Sequence, residues 1–120
     1  MRTLYSDYKP GDFEAQLIPC CGHLMYFNED GSRVEIYGCP TGIDWKVNHI
    51  NSHVELITDN AISTTIDFNT YKTQIINFVS DIEAFYGSPN KKILPEDELG
   101  RDAFKLFWIE WNSLKIKLDI

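Results

Sequence analysis

Three cysteines and three histidines are the residues of this 120-residue chain with the widest range of chemistry. Because thiolate and imidazole groups are the usual protein ligands of zinc, Cys20, His23 and Cys39 form a candidate metal site. The turn Cys39-Pro40-Thr41-Gly42 resembles half of a zinc knuckle, but the chain contains no Cys-x-x-Cys pair. An alternative interpretation is that these cysteines are ordinary small buried residues near turns, because free cysteine is among the most buried residue types. We therefore predict no bound metal and no cofactor, with a zinc- or thiol-dependent enzyme or regulator as the alternative.

Nucleophilic catalysis is a second chemistry open to these residues. A cysteine nucleophile needs basic neighbours that lower its pKa, and only Arg33 and Lys46 lie in the same stretch as the cysteines and histidines. The chain also lacks a glycine-rich phosphate loop, an HExxH motif and a serine nucleophile elbow. We expect His49 to have a structural role at the edge of the core, with both ring nitrogens hydrogen-bonded. We predict that the protein has no catalytic residues and is not an enzyme.

Cysteine usage and hydropathy bear on the compartment. The cysteine count is odd, and Cys20 and Cys21 are adjacent, so the pattern does not predict a disulfide framework and fits a reducing compartment better. The first residues contain no apolar core of a secretory signal. The chain also has no apolar run near the ~18 residues of a membrane helix. We expect a cytoplasmic protein that does not bind a membrane.

Acidic residues outnumber basic ones, 18 to 11, which gives a net charge of -7 at pH 7. Negative charge repels phosphate backbones, so nucleic acid is an unfavourable partner. A basic protein is a favourable partner, since opposite fields accelerate encounter. The same acids also fit a solvated surface and the electrostatics of a helix N-terminus. The predicted partner-binding residues are the acids before and within the last helix and those of a hairpin tip: Glu96, Asp97, Glu98, Asp102, Glu29 and Asp30.

Apolar spacing predicts strands in the first half of the chain and helices in the second. Asp30-Gly31 between apolar runs is typical of a hairpin turn, and the alternation in residues 43–49 and 54–68 predicts further strands. The period then changes to about 3.6, with Asp67 or Asn69 as the N-cap of a helix and Gly87 at its end. The predicted inward stripe of this helix is Tyr71, Ile75, Phe78, Ile82 and Phe85.

A second helix is predicted in the last quarter of the chain. Pro95 suits its first turn, whereas Gly100 favours a start at Asp102. Its large apolar residues at helical spacing predict the main plug of the core: Phe104, Phe107, Trp108, Trp111, Leu114 and Leu118. Residues 1–14 are polar and contain Pro10 and Gly11, so they are expected to form an irregular arm or a short turn. We predict a single α+β domain, residues 1–120, in which an antiparallel meander of four to five strands precedes two C-terminal helices packed on one face.

The second half of the chain resembles the C-terminal signature of small bacterial immunity proteins. The residues that carry the resemblance are Leu94-Pro95-Glu96-Asp97-Glu98, Arg101-Asp102-Ala103-Phe104, Phe107-Trp108 and Glu110-Trp111. Such proteins are the cognate inhibitors encoded beside polymorphic or contact-dependent growth-inhibition toxins. The resemblance implies a non-catalytic protein that occludes the active or substrate-binding site of one toxin, here a basic, nuclease-like domain. A general protein-interaction adaptor is a further alternative, and the oligomeric state stays open.

Overall fold

The computed structural model describes residues 1–11, 16–87 and 93–120. Within these residues the fold is α+β, as predicted, with five strands in two antiparallel sheets and two long helices. Their bounds are β1 His23–Phe27, β2 Val34–Gly38, β3 Trp45–Ile50, β4 His53–Thr58, β5 Ser63–Asp67, α1 Phe68–Tyr86 and α2 Glu98–Leu118. A short 3-10 helix, Arg2–Leu4, precedes them.

The five strands form a hairpin, β1–β2, and a separate sheet in the order β3-β4-β5. The predicted turn at Asp30-Gly31 closes the hairpin, in which Phe27 pairs with Val34. Pro40 follows β2 and has no N–H group for a strand ladder, so the pairing of the hairpin ends there. The chain then pairs Ile43 with Ile18 before it enters β3. This isolated bridge lies between the hairpin and β3 and belongs to neither sheet.

The three-stranded sheet has one buried and one solvated face. Val47 and Val54 are fully buried on the inner face. On the outer face, Asn48 Nδ2 and Ser63 Oγ donate hydrogen bonds of 3.2 and 3.0 Å to the carboxylate of Glu55. This arrangement confirms the alternation seen in the sequence, because successive side chains of a strand point to opposite faces.

Part of the N-terminal segment belongs to the core, so the prediction of a polar arm is wrong at Leu4 and Tyr8, whereas the 3-10 helix Arg2–Leu4 agrees with the predicted short turn. Leu4 and Tyr8 are 5% and 1% exposed and pack in one cluster with Val47, Val54, Tyr71 and Leu118. The main chains of Tyr8 and Val47 exchange two hydrogen bonds of 2.8 Å, which covers an edge of β3. The Tyr8 hydroxyl donates to the carboxylate of Asp44 at 2.8 Å. Irregular backbone has no periodic signal, so the sequence pattern could not show this packing. Residues 12–14 of the predicted arm lie outside the described residues.

Helix α1 begins and ends where the sequence predicts. The carboxylate of Asp67 accepts a hydrogen bond of 3.1 Å from the backbone N–H of Thr70, and Gly87 follows the last turn with a φ of 68°. The predicted inward stripe is wrong at Phe78 and Phe85, which are 60% and 82% exposed. Val79 is buried instead. Phe78 and Val79 are adjacent and both apolar, so the sequence pattern allows either of them to face the core. The elements that pack against the helix determine which one is buried.

Helix α2 begins at Glu98, between the two predicted starts. Asp97 is its N-cap and accepts a hydrogen bond of 2.6 Å from the backbone N–H of Gly100. The helix lies against the β1–β2 hairpin, whereas α1 contacts β4 and β5. The predicted plug is only half-buried along most of its length, and the fully buried residues of α2 are Ala103 and Leu118. The core therefore centres on the three-stranded sheet and receives the C-terminal end of α2.

The two helices contact each other through the carboxylate of Glu83 and through aromatic side chains. Glu83 of α1 accepts hydrogen bonds of 3.0 Å from Trp111 Nε1 and 2.7 Å from Lys115 Nζ. Trp108 makes an edge contact with Tyr86 of α1, with ring centroids 5.8 Å apart. These contacts fix the rotation of α2 and thereby decide which of its residues face outward.

Leu4→Ala tests the packing of the N-terminal segment. Truncating a buried leucine removes apolar contacts and leaves a cavity, so we expect the free energy of unfolding to fall by about 2–5 kcal/mol. Leu99→Ala is the matched control, because Leu99 is 64% exposed and lies in a helix, and it should change stability by less than about 0.5 kcal/mol. Urea unfolding measures both values. Equal effects of the two substitutions would contradict the burial of this segment.

Candidate functional site

The acidic residues at the start of α2 are all exposed. Glu96, Glu98 and Asp102 direct their charges to solvent, whereas the carboxylate of Asp97 is occupied as the N-cap. Because Glu98 and Asp102 are four residues apart, they lie on the same side of the helix. The structure thus brings the predicted acids of this segment together, and it leaves three of the four available to a partner.

Exposed apolar side chains continue the same side of α2. Ile109 and Ile116 follow Asp102 at intervals of seven residues and are 65% and 78% exposed. We call Glu98, Asp102, Ile109 and Ile116 the α2 stripe. Leu94 and Leu99, next to the acids in sequence, are also exposed. Exposed apolar residues gathered on one face and bordered by charges are typical of protein-interaction surfaces.

The second acidic pair, Glu29 and Asp30, lies at the tip of the β1–β2 hairpin and is also exposed. The Asp30 carboxylate accepts hydrogen bonds from the Ser32 hydroxyl at 2.5 Å and from the Ser32 backbone N–H at 3.0 Å. These bonds stabilise the ionised form, and they lower the pKa of Asp30 below its usual value. Asp30 therefore stabilises the turn, in addition to any role toward a partner.

The three cysteines lie close together in space, as the alternative of a shared site for Cys20 and Cys39 requires. Cys20 and Cys39 form a disulfide, although the odd number of cysteines and the adjacent pair did not predict a disulfide framework. Cys21 carries a free thiol, whose sulfur lies 3.3 Å from that of Cys39 and 3.4 Å from that of Cys20. Cys20 and Cys21 are exposed and Cys39 is half-buried, so the alternative of buried cysteines is also wrong. We call these three residues the cysteine cluster.

Backbone pairing on two sides positions the cysteine cluster. Ile18 and Ile43 exchange main-chain hydrogen bonds of 3.0 and 2.8 Å on one side, and on the other His23 pairs with Gly38 at the end of the hairpin. Residues 19–22 and 39–42 are therefore held against each other. Gly42 is required for this approach, because a Cβ atom there would clash with the carbonyl oxygen of Ile18. The pairing of distant segments, and no local motif, creates the cluster.

The histidines that the structure describes in full make their hydrogen bonds away from the cysteines. His49 Nδ1 lies 2.9 Å from Asp7 Oδ1, and its backbone N–H donates to the same oxygen at 2.7 Å. These two bonds lower the pKa of Asp7, the backbone bond having the larger effect. The Nε2 atom of His49 is buried without a hydrogen-bond partner in the described part of the chain, so only one ring nitrogen is bonded as predicted. His53 Nδ1 lies 3.2 Å from the Ser52 hydroxyl. The side chain of His23 lies outside the described residues.

A pocket of ≈ 270 Å³ lies beside the edge of β3. Its lining consists of Pro10, Gly11, Gln16, Pro40, Gly42, Asp44 and Asp59. Asp44 already accepts the hydroxyl of Tyr8, so that carboxylate has a structural role. Among the described residues of this lining there is no nucleophile with an adjacent base, so these residues alone do not form an acyl-transfer site.

Comparison of the chain with protein-family models, with curated proteins and with solved structures returned no match. In the described ranges, neither helix combines the length and the apolar character needed to cross a membrane. The proposals below therefore depend on the geometry of the chain itself.

The Asp30 turn gives a pH-dependent prediction. The pKa of Asp30 is lower in the folded protein than in the unfolded chain. Ionised Asp30 therefore adds to the free energy of unfolding at pH values above the unfolded pKa. This stabilisation is lost as the pH falls through the lowered, folded pKa. Ser32→Ala removes the largest cause of the shift, so we expect the pKa of Asp30 to rise toward its usual value. The stability difference between wild type and Ser32→Ala should be greatest at neutral pH and should narrow on acidification. Carboxyl-carbon NMR titration and unfolding at several pH values measure both effects.

Ser80→Ala, at an exposed position of α1, is the matched control and should leave the titration of Asp30 unchanged. An unshifted Asp30 in the Ser32→Ala protein would show that the hairpin turn does not hold this carboxylate.

Proposed function

We propose that the protein is an immunity protein that binds and neutralises a basic, nuclease-like toxin domain. The observation that carries the proposal is the α2 stripe, where exposed acids and exposed isoleucines share one side of a single helix. The acids would attract a basic surface, and the apolar side chains would bury area once contact is made. The net charge of -7 adds a long-range attraction toward such a partner.

The proposed mechanism is occlusion. Complementary charge raises the rate of encounter, and the toxin's active or substrate-binding site is then covered by the docked protein. A stable complex of this kind buries roughly 1,200–2,000 Å² in total, which is more than the α2 stripe alone can supply. We assign the remaining contact to other exposed residues, which are Leu94 and Leu99 beside the acids in sequence and the hairpin-tip acids Glu29 and Asp30.

The cytoplasm is the compartment that this proposal requires, because an immunity protein protects the cell that produces it. Glutathione and thioredoxin keep most cytoplasmic thiols reduced. The Cys20–Cys39 bond is held by an exposed pair of loops, so it would be open to these reductants. The function proposed here uses no thiol and does not depend on the state of this bond.

Charge reversal at Glu96 and Asp102 tests the docking surface. The double substitution Glu96→Lys with Asp102→Lys leaves the N-cap Asp97 intact, so α2 keeps its start. We expect the affinity for the toxin domain encoded immediately upstream to fall at least about tenfold, which corresponds to ~1.4 kcal/mol. Asp59→Lys with Asp81→Lys makes the same change in net charge at exposed positions elsewhere and should have a much smaller effect. Surface-based binding kinetics at low salt would measure both.

Equal losses in the two double variants would show that net charge alone, and not this surface, governs binding. Co-expression with the upstream gene product, scored by cell survival, tests the function itself. Survival that depends on the intact protein supports the immunity function. Death of the cells despite stable expression would contradict it and would favour a general interaction adaptor.

A further inference from the structure

The sulfur atoms of Cys20, Cys21 and Cys39 all lie within 4.8 Å of one another. A disulfide accounts for the proximity of only two of them. Cys21 follows Cys20 in the chain, but neither this adjacency nor the disulfide requires its sulfur to lie 3.3 Å from that of Cys39. A single metal ion could be coordinated by all three sulfur atoms. We propose that the reduced cysteine cluster is a three-thiolate binding site for one thiophilic cation of the Zn²⁺ type.

The distances fit such an ion after reduction. Zinc–sulfur bonds are about 2.3 Å long, so three thiolates on one ion lie roughly 3.7–4.0 Å apart. The non-bonded sulfur distances of 3.3 and 3.4 Å need only a small outward movement to reach this spacing. Cleavage of the Cys20–Cys39 bond permits that movement. Thiolates are soft ligands, which favour zinc and copper(I) over magnesium or calcium.

The backbone holds the cluster together without the disulfide. The Ile18–Ile43 bridge and the His23–Gly38 pair fasten the two loops on both sides, and Gly42 allows their close approach. Reduction therefore leaves the three thiols near each other instead of releasing them. A site that is organised in advance costs less conformational entropy when the ion binds.

The surroundings of the cluster also suit an ion. The hydroxyl of Thr41 lies 3.1 Å from the sulfur of Cys20 and 3.3 Å from that of Cys39, so it can donate a hydrogen bond to a bound thiolate. Such outer contacts orient metal ligands. Cys20 and Cys21 are exposed, which leaves a fourth coordination position open to water. On binding, the cation replaces the three thiol protons, which pass to the buffer.

Zinc titration of the untagged full-length protein tests the site. A phosphine reduces the disulfide to two thiols and leaves as its oxide, and the excess is removed without oxygen. We expect the reduced protein to bind one Zn²⁺ per chain in competition with a chromophoric chelator. Cys21→Ser should lower the affinity at least tenfold, and the oxidised wild type should not compete. With Cd²⁺ as a probe, the thiolate charge-transfer absorption should fall by about a third in Cys21→Ser.

His53→Gln, at an exposed histidine of β4, is the control for binding by surface imidazole and should leave the zinc affinity unchanged. Thermal melts establish that each variant is folded, and Cys21→Ser retains both partners of the disulfide. Absence of stoichiometric Zn²⁺ binding by the reduced wild type would overturn the proposal. So would an unchanged affinity in Cys21→Ser, or equal binding by the oxidised protein.

Discussion

One arginine side chain joins three parts of the chain that are far apart in sequence. Arg2 donates two hydrogen bonds, of 2.6 and 2.7 Å, to the carboxylate of Glu110 on α2, and a third, of 3.1 Å, to the backbone carbonyl of Val34 on β2. Bidentate pairs of this kind are stronger than neutral hydrogen bonds, and their geometry is fixed. The pair anchors the N-terminal segment, which brings Leu4 and Tyr8 into the core.

The outward surface of the protein follows from this anchoring. Glu110, Trp111 and Lys115 direct one side of α2 toward the hairpin, the N-terminal segment and α1. The opposite side therefore faces solvent and presents the α2 stripe. The inner face of the three-stranded sheet is buried. Its outer face is solvated and carries polar side chains that hydrogen-bond to Glu55. Helix α2 combines exposed acids with exposed isoleucines on one side, which is why we propose it as the docking surface.

Local patterns predicted local features, and distant pairing decided the rest. Asp67 and Gly87 were identified because a helix cap needs only its own neighbours in sequence. The role of Tyr8 depends on an edge of β3 that the sequence does not place beside it. The acids of α2 could be predicted as a patch because they are close in sequence. The residue types marked Cys20 and Cys39 as a candidate site, but the place of Cys21 beside Cys39 could not be predicted, because it depends on the Ile18–Ile43 bridge and on the hairpin register.

We propose that the protein binds a basic partner through exposed acids, and the salt dependence of its association with the proposed toxin domain tests this most directly. Because electrostatic steering acts on the encounter, we expect the association rate constant to fall steeply as ionic strength rises, while the dissociation rate constant changes little. Stopped-flow fluorescence with a dye-labelled partner can follow the association. An association rate that does not respond to salt, or the absence of a complex at any ionic strength, would show that exposed acids do not govern binding.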